Sequence, residues 1–397
     1  MKKTLIAASV AGAFLSTSAM AANVEMYGLI NTGLSYSHSD TDQGTKTDKF
    51  SMENGQEFGS HWGLRGSEDL GNGLKLGFVL ESGIESDTGN LDTKQGGRLF
   101  GREAQMTFSG SFGALSFGRM PIFGSVLGAN GLFRAIEPLF ANYTTGFSTS
   151  NATASMWTRV DNAISYKTPT FAGFTAYAMY SFQNDSVAGT TKGSTEGKSS
   201  TDRYASVALR YLNDRFEAVF VVDTTNWGYK ETLAGYEHEG ENLDDGYTYT
   251  LGGNYTFDCG LKVIAFGQYF ENQFINSAAR AGIAKDGILA ATGERFFVGA
   301  TKPTQGYGFV DGWGASVGVH YPVLGGTAKL AANYRDMSNT KGYDFERWTV
   351  EAAYDYALSK RTALYAITGY SQEKVEKNGS GKTPNGCEVS VGVVHRF

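Results

Sequence analysis

A chain of 397 residues with 34 basic and 40 acidic side chains carries a formal charge of −6 at pH 7. That balance argues against a nucleic-acid partner, because nothing would displace counterions from a phosphate backbone, and beyond the N-terminal region no run of about 18 apolar residues offers an α-helical membrane span. The 52 glycines, 26 phenylalanines and 22 tyrosines beside only 6 prolines are unusual for a soluble enzyme, whereas strands with one greasy face and one wet face would use them.

The chain opens with Lys2-Lys3, an apolar stretch from Leu5 to Leu15, and Ala19-Met20-Ala21. A charged start, a short apolar run and an A-x-A cleavage site predict a secretory signal peptide over 1–21 and one mature domain over 22–397. The removed segment carries two lysines and no acid, so the mature chain is more acidic still.

From Val24 onward, runs of roughly ten residues alternate apolar with small or polar side chains. Around Tyr247 to Tyr255, the tyrosines and Leu251 alternate with Thr248, Thr250, Gly252 and Asn254. Near Trp313 to Tyr321, Trp313, Ala315, Val317, Val319 and Tyr321 oppose Gly314, Ser316, Gly318 and His320. In Arg347 to Leu358, Trp348, Val350, Ala352, Tyr354 and Tyr356 share one face. At about 3.3 Å per residue and a tilt near 40°, about ten residues cross an apolar band of about 25 Å.

Seven short connections, such as Asp69–Gly73 and Asp258–Gly260, alternate with eight long polar ones, among them His38–Glu57, Pro121–Trp157, Gln273–Gly312 and Glu376–Gly386. Fifteen connections predict sixteen strands, or eighteen if Gln273–Gly312 hides a hairpin. Lipid cannot hydrogen-bond a backbone amide, so the sheet must close, and sixteen strands leave a lumen too wide for side chains to fill. The reading is therefore all-β: a 16-stranded antiparallel transmembrane β-barrel with short periplasmic turns, long extracellular loops and a water-filled pore. This topology puts Cys259 and Cys387 at opposite ends of the barrel as free thiols.

Several segments resemble the Gram-negative general porins, especially their betaproteobacterial branch. These are Met26-Tyr27-Gly28, His61 through Gly71 (HWGLRGSEDLG), Phe112 through Arg119 (FGALSFGR), Arg159 through Tyr166 with Thr168-Pro169, and the closing Val391 through Phe397. The region from Gln183 to Gly312 matches by pattern only.

The resemblance implies a homotrimeric diffusion channel of the outer membrane. It also implies that the third loop, Pro121–Trp157, folds into the pore and narrows it; that loop is unusually apolar, from Ile122 to Phe140. By register Arg65, Arg102 and Arg159 point inward, and Arg102 and Arg159 align with the family's wall arginines. Glu81 matches a position that faces them, and Glu137 is the acid the third loop offers. His61 stands where the family usually has arginine, so its protonation near pH 6 would strengthen the basic wall. Two acids against three arginines predict a weak anion preference. With Arg102 inward, Glu103, Gln105 and Thr107 would point outward, which suits a subunit contact. The resemblance further implies that Phe397 is read by the outer-membrane assembly machinery, with lipid and lipopolysaccharide around the barrel.

Other chemistry finds no support. Gly379 through Thr383 ends like a phosphate-binding loop but lacks its upstream glycine and its strand-to-helix context. Five scattered histidines give no metal spacing, and no G-x-S-x-G elbow occurs. The sequence thus points to no cofactor, metal or catalytic residue. The alternative within transport is a substrate-selective channel for sugars or dicarboxylates, but Trp62, Trp313 and Trp348 face outward by register and supply no inward aromatic ladder. An outer-membrane enzyme and an adhesin are the competing classes outside transport.

Overall fold

The computed structural model describes residues 23–397 except 41, 43, 45, 93–96, 140–147, 155–157, 187–194, 199–200, 229–243, 274–309 and 340–341. The signal-peptide reading, Phe140 and Trp157 of the third loop, and any hairpin within 274–309 lie outside the described residues. Strand segments run in chain order as β1 (Asn23–Asp40), β2 (Lys46–Asn54), β3 (His61–Gly71), β4 (Leu74–Gly83), β5 (Glu103–Gly110), β6 (Gly113–Pro121), β7 (Arg159–Lys167), β8 (Phe174–Gln183) and β9 (Arg203–Leu212). They continue as β10 (Phe216–Asn226), β11 (Gly246–Thr256), β12 (Lys262–Gln273), β13 (Val310–Val323), β14 (Gly326–Asn339), β15 (Asp344–Ala357), β16 (Thr362–Lys377), β17 (Ser380–Lys382) and β18 (Asn385–Arg396).

These segments make one closed antiparallel wall of sixteen staves. β2 and β3 pair with successive halves of β1 and form a single stave. The short β17 and the long β18 both pair with β16 and form another. β18 returns to β1, from Leu29↔Arg396 to Asp40↔Asn385, and seals the barrel. Every backbone ladder thus finds a partner, as a bilayer requires. Among the described residues, no helix is long and apolar enough to cross a membrane.

Side chains alternate as the sequence pattern requires. On β15, Trp348, Val350 and Tyr356 are exposed on the outer face, while Arg347, Thr349 and Glu351 are buried inside. Tyr247, Tyr249 and Leu251 on β11 likewise face outward. The first tight turn is built by Asn72-Gly73, both with positive φ (52° and 76°), the geometry that matches the twist of a hairpin. Cys259 is exposed in the turn between β11 and β12, and Cys387, on β18, faces His38 near the far end of the wall; both are free.

Three expectations are corrected. Most of His38–Glu57 is strand: β1 and β2 pair from Thr32↔Asn54 up to Asp40↔Lys46, helped by Tyr36 and His38 bonding Asp48 at 2.6 and 2.8 Å. Glu376–Gly386 likewise contains β17. The third correction is a register shift of one residue in β5. Arg102 lies in a bend before the strand, its amide donating to the Glu81 carbonyl at 3.1 Å, and regular pairing starts at Glu81↔Glu103. Glu103, Gln105 and Thr107 therefore share the inner face with Glu81, and Met106 takes the outer one.

Candidate functional site

A large apolar core lies inside the barrel, beneath the segment that follows β6. Ile122, Phe123, Val126, Leu132, Phe133 and Ile136 are buried against Val160, Tyr177, Met179, Tyr204, Val219, Val221 and Phe266 of the inner wall. Each such side chain, fully buried, contributes about 1.5–3 kcal/mol. The loop then continues round the wall. Asn254 donates to the Ala135 carbonyl at 2.7 Å, and His320 Nε2 meets the Pro138 carbonyl at 2.6 Å. Leu139 joins a second cluster with Ala331, Tyr365 and Ile367.

The short helix α1 (Ser148–Ala152) pins the returning limb. Arg335 donates to the Thr153 carbonyl at 3.1 Å, and Asn151 bonds Glu351 at 3.1 Å. Glu373 accepts from both Arg335 (3.3 Å) and Arg347 (3.0 Å) in a buried network. The described parts of the third loop therefore line the lumen from β7 round to β16.

Facing this loop, the wall from β1 to β7 carries a charged cluster. Arg102 Nε lies 2.5 Å from Glu81, which also accepts from Tyr27 at 2.9 Å. Arg159 donates to the Arg102 carbonyl at 2.7 Å and is only 5% exposed, with its Nη2 buried and without a hydrogen-bond partner. Arg119 and Arg98 both bond Asp161, at 2.6 and 2.8 Å, and Arg98 also reaches Asp185 at 2.6 Å. Glu103 accepts from Gln105 at 2.7 Å and from the loop amide of Ala129 at 3.2 Å.

Four of the six residues singled out from sequence come together here. They are Arg102, Arg159, Glu81 and His61, whose Nε2 is 3.7 Å from Glu81 and whose Nδ1 is 2.8 Å from the Gly59 carbonyl. Arg65 also points inward but sits nearer the periplasmic mouth, exposed, paired with Glu25 and stacked on Tyr27. Glu137 does not face the arginines. It is 1% exposed and accepts from the Leu139 amide (3.0 Å), the Thr149 amide (2.8 Å) and the Thr149 hydroxyl (2.7 Å), so it staples the two limbs of the loop.

The loop presents a cation instead. Arg134 is exposed in the lumen, and its charge acts with those of Arg396, Glu103, Glu81 and Arg102. The sequence reading missed Arg98, Arg119, Arg134, Glu103, Asp161 and Asp185. Arg119 and Asp161 stand inside the family-like segments, so a signal for them existed; for Arg98, Arg134 and Asp185 the sequence offers none. The charge balance is corrected accordingly: five arginines (98, 102, 119, 134, 159) face four acids (81, 103, 161, 185), not three arginines two acids.

Comparison with known proteins bears on the family and the fold. Residues 7–376 match the family model described as Gram-negative porin. Over the full length of both chains, the sequence is 31% identical to an outer membrane porin protein of Bordetella pertussis. It is 28% identical to outer membrane porin protein 32 of Delftia acidovorans, again over both full lengths. Among solved structures, the anion-selective porin from Comamonas acidovorans aligns with a TM-score of 0.65 at 25% identity, covering 95% of this chain and 100% of that one.

Proposed function

The chain belongs to the Gram-negative porin family, and from that premise we propose that its charged eyelet is a passive filter for small hydrophilic solutes and ions. Its place is the outer membrane, where its porin relatives reside. One observation carries the reading: a closed barrel whose apolar loop lies folded against the inner wall, opposite a belt of arginines and acids. A filter of this kind needs no bond-making chemistry, and we assign none.

At the filter we place Arg102, Arg159, Glu81 and His61, with Arg98, Arg119, Arg134, Glu103, Asp161 and Asp185 beside them. The excess of arginine supports a weak anion preference, since fixed lumen charge sets which ions enter. The Comamonas neighbour is described as anion-selective, which supports the same leaning.

We further propose a homotrimer whose contact covers the outer face of β3 to β6. No tyrosine occurs between Tyr36 and Tyr143, so the tyrosines that mark lipid contact elsewhere on the barrel are missing there, and the outer aromatics of this sector are Trp62 and phenylalanines such as Phe112 and Phe117. Lipid and lipopolysaccharide would wrap the remaining staves. Cleavage after Ala21 would release the mature chain 22–397, and Phe397 at the seam would be its assembly signal.

Purified protein in planar bilayers tests the core claim. Stepwise conductance in groups of three, with a reversal potential modestly on the anion side, is expected. Electrically silent membranes would remove the channel reading, and strong cation selectivity would remove the anion preference.

A further inference from the structure

The stave made by β2 and β3 is broken, and the break turns inward. Asn54 pairs with Thr32 and His61 with Leu29 on β1. Residues 55–60 thus occupy a stretch that only Ile30 and Asn31 occupy on the neighbouring strand. The surplus chain has to leave the sheet, and the side chains show its direction. Gln56 and Glu57 are buried inside the barrel at 1% and 5% exposure. Gln56 Oε1 accepts from the Tyr365 hydroxyl on β16 at 2.9 Å. Glu57 comes within 3.9 Å of Lys329 on β14. The Arg396 guanidinium lies 5.3 Å over the Phe58 ring.

Reaching Lys329 means passing inside β1, β18, β16 and β15. With staves about 4.8 Å apart, the Glu57–Lys329 contact joins staves about 24 Å apart along the curved wall. At its far side Phe58 packs against the cluster that contains Leu139 of the third loop, together with Ala331 and Ile367. At its near side, a Cβ on Gly59 would lie 3.0 Å from Arg102 Nη1, so the guanidinium rests against this backbone. One short segment therefore touches both the far end of the loop and the wall arginine.

The geometry points to residues 55–60 as a second jaw of the constriction, a specificity-determining insert that sets, with the third loop, the largest solute that passes. The inference rests on the channel reading and extends it. The pore is narrowed from two sides, and the size limit depends on Phe58 as well as on the loop. The solutes affected are neutral and hydrophilic, such as oligosaccharides of graded length, because the jaw presents an aromatic edge and paired charges and no unpaired ion.

Conductance and liposome swelling with Phe58→Ala and Leu139→Ala test the proposal from both sides of the contact. Each variant is expected to raise single-channel conductance roughly 1.2- to 2-fold, as widening a narrow step in a pore does, and to admit a longer oligosaccharide than the parent. Phe220→Ala, on the lipid face, should leave both unchanged. A second measurement does not depend on packing. In a background carrying Cys259→Ser and Cys387→Ser, Phe58→Cys channels should lose current when a small cationic thiosulfonate is added, and recover it with reductant. Folded variants with parental conductance and cut-off, or a Phe58→Cys channel indifferent to the reagent, would overturn the jaw while leaving the channel intact. A silent parent protein would instead overturn the channel reading itself.

Discussion

Arg134 offers a test of the proposed filter at the scale of one side chain. It projects from a three-residue turn of helix held down by Phe133 and Ile136, so its charge stays near Glu81 and Glu103. A unit charge about 7 Å from a passing ion, at the dielectric of water, is worth ~0.6 kcal/mol. Arg134→Glu changes the local charge by two units and acts oppositely on the two ions, ~2.4 kcal/mol in all; salt of ~0.1 M screens this to about half over about 7 Å, so the anion-to-cation permeability ratio should move by roughly 5–10-fold toward cations. Reversal potentials in a tenfold salt gradient would read the shift; a ratio unchanged in sign and size would show that Arg134 does not face the ion path. The sequence could not rank this residue against Glu137. A carboxylate in a loop is open to any donor, and only the fold reveals that Leu139 and Thr149 saturate Glu137. Glu81 was legible because it lies within a strand, where alternation fixes the facing of a side chain once one neighbour is placed, whereas Arg102 lies in a bend that alternation does not govern.

At the scale of elements, the third loop is held by two different kinds of force. Its outgoing limb is an apolar seat, and its returning limb is a charged latch. Arg335 and Arg347 stand directly opposite each other on β14 and β15, an arrangement that repels unless an anion lies between. Glu373 supplies that anion with its side chain wholly buried, and the Nη1 atoms of the same two arginines donate to the Ser150 and Thr153 carbonyls and to Asn151 Oδ1. Breaking a buried pair by removing one partner costs ~3–5 kcal/mol. Glu373→Gln keeps the shape and removes the charge. It should lower the temperature at which the folded band converts to the unfolded one on a detergent gel, and it should add open-channel noise as α1 loosens. An unchanged transition with a quiet open level would mean that the latch contributes little. Neither this latch nor the inward break of the second stave was visible in the sequence. Alternation says which way a side chain faces, but it does not say which distant strand completes a charge cluster or where one strand leaves the sheet. The slip at Glu103 has the same origin: one bend at Arg102 resets parity for the whole of β5.

For the whole molecule, the decisive constraint is that a sheet in lipid has no edge to spare. Closure brings Phe397 back to Gly28, whose amide and carbonyl it pairs at 3.0 Å each way. Strand number and the alternation of short and long connections were readable because that constraint leaves few solutions for a chain of this length. Partner contact is a different matter, since an apolar outer face suits lipid and a second subunit equally well. The missing tyrosines over β3 to β6 are the reason the contact is proposed there. Met106 is 46% exposed at the centre of this sector, opposite Phe78 and Phe117, while Leu251 is 62% exposed within the tyrosine-rich sector. In a cysteine-free background, a nitroxide at Met106→Cys should be sheltered from lipid-soluble oxygen in the assembled protein. The same label at Leu251→Cys should be fully accessible, and detergent conditions that dissociate the proposed trimer should make the two alike. A Met106→Cys label as accessible as Leu251→Cys in the intact assembly would move the contact to another sector. The absence of tyrosine over β3 to β6 would then have to be a feature of how those staves meet lipid.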